Sequence, residues 1–209
     1  MSLVKLDSLN IESSGPELNR REKILLIASK FFLNKGYLAT SIDEIAEAAG
    51  TTGSALYRVF ESKQDILESI CVIGIDMKLK GVQEAIGRSY SDPRETLHHL
   101  VKNRIDFAFG PWGCQVPIME AEYQHLSPAA ARKVDTAKEV NRCEWFRCLS
   151  QIRPETPTRK ILTIIYAVLA QITYFGLHID DLKLEEDVRS IVQRIAWAGL
   201  TVTLPMSSV

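Results

Sequence analysis

Cysteine and histidine are the side chains best able to do chemistry in this 209-residue chain, and their spacing does not suit it. Cys71, Cys114, Cys143 and Cys148 contain no C-x-x-C pair, which argues against a zinc site or a disulfide framework and fits a reducing cytoplasm. His98, His99, His125 and His178 have no Cys, Asp or Glu at a recognisable metal or catalytic interval. His98 and His99 are adjacent on a helix and point in different directions. No glycine-rich phosphate loop is present, so no enzyme, metal or cofactor is expected. Thiol redox sensing is the minor alternative, because free cysteine is usually a small buried hydrophobe.

The remaining polar residues suit contact more than turnover. One set lies between Thr40 and Lys63: Thr40, Ser41, Thr52, Gly53, Ser54, Tyr57, Arg58 and Lys63. The other is three polar residues on otherwise apolar helical stripes. Arg104 falls with Leu97, Leu100, Val101, Ile105 and Ala108, Glu122 with Ile118 and Met119, and Asn141 with Val134, Trp145 and Cys148. An unpaired charge in an apolar interior is costly, so Arg104 needs a partner, and an internal pair with Glu122 or Glu120 is the bland account.

The elements that carry these residues read as helices throughout. Thr40 to Lys63 forms two short helices set against each other by a tight turn, a helix-turn-helix. Ile42, Ile45, Ala46 and Ala49 give one apolar face, and Ala55, Leu56, Val59 and Phe60 the other, over a helix of seven or eight residues. Ser41 with Glu44 has the spacing of a capping box, Gly50 suits a left-handed stop, and Thr51 or Thr52 can cap the second short helix. A strong helix precedes them from Arg20, with Ile24, Leu25, Ile27, Ala28, Phe31 and Phe32 on its apolar face and Gly36 as its stop. A fourth starts near Ser62 and Asp65 and runs towards Tyr90.

Asp92-Pro93, Ser127-Pro128 and Thr156-Pro157 each place a capping residue before a proline at the first helical position. They open helices to about Phe109, Ile152 and His178, with a shorter one around Val116 to Gln124. The last helix begins near Leu184. No segment alternates like a strand, so the chain is expected to be all-α with about nine helices. Residues 1–18 read as a disordered tail, 19–67 as a helix-turn-helix domain and 68–209 as a second helical domain. The N-terminus lacks a secretory hydrophobic core, and the apolar run Ile161 to Leu177 is interrupted by Thr163, Gln171 and Thr173. A buried helix, not a membrane span, is expected there. Ile164, Ile165, Val168, Leu169, Ile172 and Phe175 wrap around much of that helix, and Trp197 lies off the main face of the last one. Apolar surface on most sides points to a homodimer that packs two helices from each subunit.

The residues Gly36-Tyr37, Thr40-Ser41, Ile45-Ala46, Ala49-Gly50, Leu56-Tyr57, Phe60 and Ser62-Lys63, with Ile66-Leu67 beyond, strongly resemble the tetracycline-repressor (TetR) family of bacterial transcription regulators. Thr51, Thr52 and Val59 stand where the family commonly has valine, serine, and histidine or tyrosine. The resemblance implies that the second short helix enters the major groove of an operator. There Gly53 allows close approach, Ser54 meets a base edge, Arg58 reaches a guanine or a phosphate, and Tyr57 matches the family's phosphate-contacting tyrosine. Lys63, Thr40 and Ser41 would meet phosphates at helix starts, and Thr52 would join the exposed face. Bulk charge gives no help, because Arg20 to Leu67 holds seven Lys/Arg and six Asp/Glu, a net of +1. The bland account is that Thr40 and Ser41 cap, Tyr57 packs and Lys63 is solvated.

The resemblance also implies a helical cage for a small effector in the second domain, and hence a ligand-responsive, homodimeric repressor in the cytoplasm. Arg104 would then meet an acidic head group, with Phe107, Trp112, Met119, Glu122, Tyr123, Asn141, Trp145 and Leu149 around a largely apolar ligand. Most of the aromatics are better explained as plain core. A helical protein–protein module that has lost tight DNA binding is the alternative, supported by the weak net charge and Val59.

Overall fold

The computed structural model describes residues 18–89, 91–178 and 185–202. The expected tail (except Leu18), Tyr90, and the expected start of the last helix lie outside them. Among the described residues there are nine α-helices, one short 3-10 turn and no strand, as the periodicity predicts. The chain divides into two compact units that are not contiguous in sequence. The first extends through Gly74 and takes in Cys114–Val134; the second is Ile75–Gly113 with the chain from Asp135 onward. A boundary at 67/68 therefore understates the first unit, which borrows a segment from the middle of the chain.

In the first unit, α1 (Arg20–Lys35) begins at Asn19, whose side chain and that of Glu22 cap each other's backbone N–H groups. The helix stops at Gly36, at φ 83°. Ser41 and Glu44 form the expected capping box at the start of α2 (Ile42–Ala48). Gly50 then turns left-handed at φ 63°, and Thr51 N–H reaches back to Ala46 O at 2.9 Å, closing the helix end. Thr52 caps α3 (Gly53–Leu56) by accepting from Ala55 N–H.

That second helix is one turn long, shorter than the seven or eight residues expected. Val59 and Phe60 N–H both bond to Leu56 O, so the chain leaves α3 through a turn. Leu56 and Phe60 are buried, while Tyr57, Arg58 and Val59 between them are exposed, with no packing to hold a second regular turn. The core beneath combines Leu25, Ala28 and Phe32 with Ile45, Ala46, Leu56, Ile66, Leu67 and Ile70. The last three belong to α4 (Lys63–Ser89), which starts in this unit. The borrowed segment contributes α6 (Gln115–Ala121), a 3-10 turn at Tyr123–His125, and the first residues of α7 (Pro128–Ile152).

The second unit packs the rest of α4 and α7 with α5 (Pro93–Ala108), α8 (Thr158–Leu177) and α9 (Glu185–Thr201). Asp92 caps α5 through Arg94 and Glu95 N–H, with Pro93 at its first turn as expected. Thr156 does not cap α8, which begins just past Pro157 with no side-chain cap. Leu97, Leu100, Trp145, Leu149, Ile161, Ile165, Ile172, Val192, Ala196 and Leu200 form the core. The Ala108 carbonyl is flanked by Gly113 and Gly176, where an added Cβ would lie 2.0 and 2.3 Å from its oxygen. Neither site has room for a side chain.

α8 and α9 keep an apolar face exposed: Tyr166 and Tyr174 on one, Ile191 and Ile195 on the other, with Val202 just past its end. α8 is also the helix among the described residues with the length and apolarity of a membrane span. Its Ile161, Ile165, Val168 and Ile172 are nevertheless buried in the unit's core.

Candidate functional site

The exposed polar residues of α3 are held in place by what lies beneath them. Leu56 and Phe60 are 1% and 2% exposed, whereas Thr52, Ser54, Tyr57 and Arg58 are exposed and Gly53 is half-buried. Thr52 Oγ1 accepts Ala55 N–H at 3.2 Å and lies 3.1 Å from Ser54 Oγ, so both hydroxyls sit at the first turn of α3. Ser41, also exposed, uses its hydroxyl within the capping box, accepting Glu44 N–H at 3.1 Å. Hydroxyls, a phenol and a guanidinium displayed on this short helix and the turn after it can bond to phosphates and base edges.

Two residues expected on that face do something else. Thr40 is 1% exposed, and its hydroxyl donates inward to Gly36 O at 2.8 Å. It holds the loop between α1 and α2, with its hydroxyl turned inward. The Lys63 ammonium donates to Tyr37 O and Thr40 O, each at 2.8 Å, and lies 4.5 Å from the centre of the Tyr37 ring. Its charge is turned on the carbonyls of the same loop, a position the sequence could not reveal because these partners lie more than twenty residues away.

The second unit contains a narrow cleft lined by Met77, Lys78, Gly81, Val82, Leu100, Asn103, Arg104, Phe107, Asn141 and Trp145. Its free room is about 20 Å³, enough for about one water molecule. Arg104, Phe107, Asn141 and Trp145 were expected in a pocket and are brought together here. Arg104 donates to Thr173 Oγ1, and the Arg104 and Lys78 cations lie 5.7 and 5.5 Å from the Phe107 ring centre. Asn103 Nδ2 donates to Gly81 O at 2.7 Å, which fixes one wall.

The other expected pocket residues are placed elsewhere. Trp112 and Leu149 are buried and do not line the cleft. Met119, Glu122 and Tyr123 belong to the first unit. Of the two partners expected for Arg104, Glu122 accepts instead from Tyr37 N–H at 2.9 Å and lies 3.7 Å from His125 Nε2, and Glu120 is exposed. Stripe membership had suggested the pair, but stripes do not reveal which unit a helix joins.

The family model described as "Bacterial regulatory proteins, tetR family" matches residues 24–70, the stretch that builds α1 to α3 and the start of α4. The HTH-type transcriptional activator FasR of Mycolicibacterium smegmatis is 29% identical over 190 residues, spanning 89% of this chain and 85% of the relative. A TetR-family regulator from Bordetella parapertussis has the same fold, with a TM-score of 0.75 at 19% identity over 92% of this chain and 100% of that one. Residues 24–70 are a TetR-family helix-turn-helix domain. AibR, solved with isovaleryl coenzyme A and operator DNA, also shares the fold, with a TM-score of 0.62 at 22% identity over 76% of this chain and 86% of that one.

With that TetR-family domain the chain is a helix-turn-helix transcription regulator and not an enzyme. Sequence reasoning missed Met77, Lys78, Gly81, Val82, Leu100 and Asn103 as cleft residues, and Lys78 is the charged one. It stands four residues before Val82 and seven before Ala85, both buried, so the stripe rule that found Arg104 would have found it too. The cysteines show no activation where a shift is resolved. Burial pushes the Cys148 thiol up to about 12 and raises Cys114, while a hydrogen bond to Glu139 raises Cys143.

Proposed function

We propose that this chain is a homodimeric repressor that reads a palindromic operator through α3 and releases it when a small, largely apolar ligand with an acidic group enters the second unit. One observation carries the DNA reading: Ser54 on α3, with Tyr57 and Arg58 in the turn that follows it, is exposed around the buried Leu56 anchor. Thr52, Gly53 and Ser41 complete the face, with α3 in the major groove and Tyr57 on a phosphate. Dimerisation is supported by the exposed Tyr166, Tyr174, Ile191, Ile195 and Val202, which suit a pairing of α8 and α9 with their copies.

The ligand reading rests on the cleft. Lys78 and Arg104 beside Phe107 supply two cations in a partly apolar wall, a setting in which a carboxylate or phosphate gains more than it does in water. That AibR was solved with isovaleryl coenzyme A makes an acyl thioester the first ligand class to try. An occupant larger than water must open the cleft, and Met77, 43% exposed, is one wall able to move.

A gel shift on DNA flanking the gene, at several salt concentrations and with isovaleryl coenzyme A added, tests this. Sequence-selective binding that weakens steeply with salt and falls on adding the thioester is expected. Absence of selective binding would return the helical adaptor reading. FasR is named an activator, so tighter binding with the thioester would replace repression by ligand-assisted activation.

A further inference from the structure

We infer that Glu122 is a positioning residue for the DNA-reading head, fixing the entry to the helix-turn-helix from the borrowed segment at Cys114–Val134. The inference deepens the DNA-binding reading and rests on it for its functional arm.

The loop from Gly36 to Thr40 leads directly into α2, so its conformation sets where α2 and α3 stand. Several of its polar groups are held from within the helix-turn-helix stretch: Gly36 O by the Thr40 hydroxyl, and Tyr37 O and Thr40 O by the Lys63 ammonium. The Tyr37 N–H is different, since its acceptor is Glu122 Oε1 at 2.9 Å, 85 residues further along the chain. The same oxygen lies 3.4 Å from where a Cβ on Gly36 would stand, so the carboxylate abuts the stop of α1.

Around this bond the residues form one knot. His125 lies with its ring 5.0 Å from that of Tyr37 and its Nε2 3.7 Å from Glu122 Oε2. Phe32 packs edge-on to Tyr37 at 5.4 Å. Burial, then the nearby carboxylates of Glu68 and Glu122, raise the Tyr37 phenol above its ordinary pKa. A carboxylate held among such groups, with a side chain only 12% exposed, is a fixed acceptor and not a solvated surface charge.

Other polar ties of the borrowed segment in this unit go to helices: Cys114 Sγ donates to Ser29 Oγ of α1 at 3.4 Å, and two more go to α4. Gln115 Nε2 donates to Cys71 O at 3.3 Å, and Ser127 N–H donates to Glu68 Oε1 at 2.8 Å. The Glu122 tie is the one that reaches the loop ahead of α2. The chain enters this segment after Gly113 and leaves it before Asp135, both junctions with the second unit. A shift of the segment is therefore passed to the loop through Glu122, to α1 through Cys114, and to α4 through Gln115 and Ser127.

Glu122→Ala and Glu122→Gln separate a positioning role from a structural one, because glutamine keeps an amide oxygen that can accept from Tyr37. Amide exchange of Tyr37 by NMR and affinity for the selected flanking DNA are the two readouts, beside the thermal midpoint. Glu122→Ala is expected to speed Tyr37 exchange and to weaken DNA binding, each roughly ten-fold, with Glu122→Gln restoring both. Unchanged exchange and affinity in Glu122→Ala would overturn the inference. So would a glutamine variant as impaired as the alanine one, or an affinity loss accounted for by unfolding alone. If the unaltered protein binds no DNA selectively, the functional reading fails, and Tyr37 exchange still decides whether Glu122 holds the loop.

Discussion

Removing the Lys63 ammonium should loosen the reading head without removing a DNA contact. Lys63→Met keeps the aliphatic stem but deletes both 2.8 Å bonds to Tyr37 O and Thr40 O and the cation over the Tyr37 ring. Hydrogen bonds to charged groups contribute about 1.5–3 kcal/mol each when buried. Lys63 is only half-buried, and water can replace part of each bond, so a net loss of about 2 kcal/mol is expected for the pair. For a chain of this size that lowers the thermal midpoint by about 4–8 °C. Circular dichroism melting reads this directly. Salt dependence then separates the two roles, since losing a phosphate contact flattens the slope of log affinity against log salt by about 0.9. A lower midpoint, weaker DNA binding and an unchanged slope are expected. An unchanged midpoint with a flattened slope would refute the argument and return Lys63 to the phosphate-contacting role that the resemblance implies.

The geometry sets three further expected outcomes. Ile195→Asp puts a charge in the middle of the exposed apolar face of α9 and should shift the protein to monomer, read by sedimentation; a persistent dimer would place the interface elsewhere. Gly176→Ala drives a Cβ to 2.3 Å from Ala108 O, against backbone, and should cost on the order of 1–3 kcal/mol of stability in urea unfolding, while an unchanged midpoint would contradict the packing. Glu44 is held at about 2, chiefly by its hydrogen bond from Lys35 and then by Ser41, below the ordinary 4.5. A depressed folded pKa means that its contribution is fully present above about pH 4.5 and is lost as pH falls through about 2; carboxyl NMR should show that titration, and a midpoint near 4.5 would remove the claim.

Local stereochemistry explains what could be read in the residues alone. The capping box at Ser41, the N-cap at Asp92, the left-handed stop at Gly50 and the apolar faces of α1 and α2 depend on neighbours within a few positions, and each is present as expected. The one-turn length of α3 was not legible, because Ala55, Leu56, Val59 and Phe60 keep helical spacing whether or not anything packs on the exposed side. Arg104 and Asn141 were found as polar breaks in apolar stripes, and the cleft does gather them with Phe107 and Trp145.

Composition and spacing by themselves determined an all-helical chain, its helix-turn-helix and the small set of exposed groups on α3. Tertiary structure alone decided the partners of the charged residues. Thr40, Lys63 and Glu122 look in sequence like contacts for DNA or ligand, yet all three converge on the Gly36–Thr40 loop. The physical reason is range: caps and stripes are fixed within one or two helical turns, whereas a carboxylate or ammonium bonds to whatever polar group the packing brings within about 3 Å, however distant in the chain.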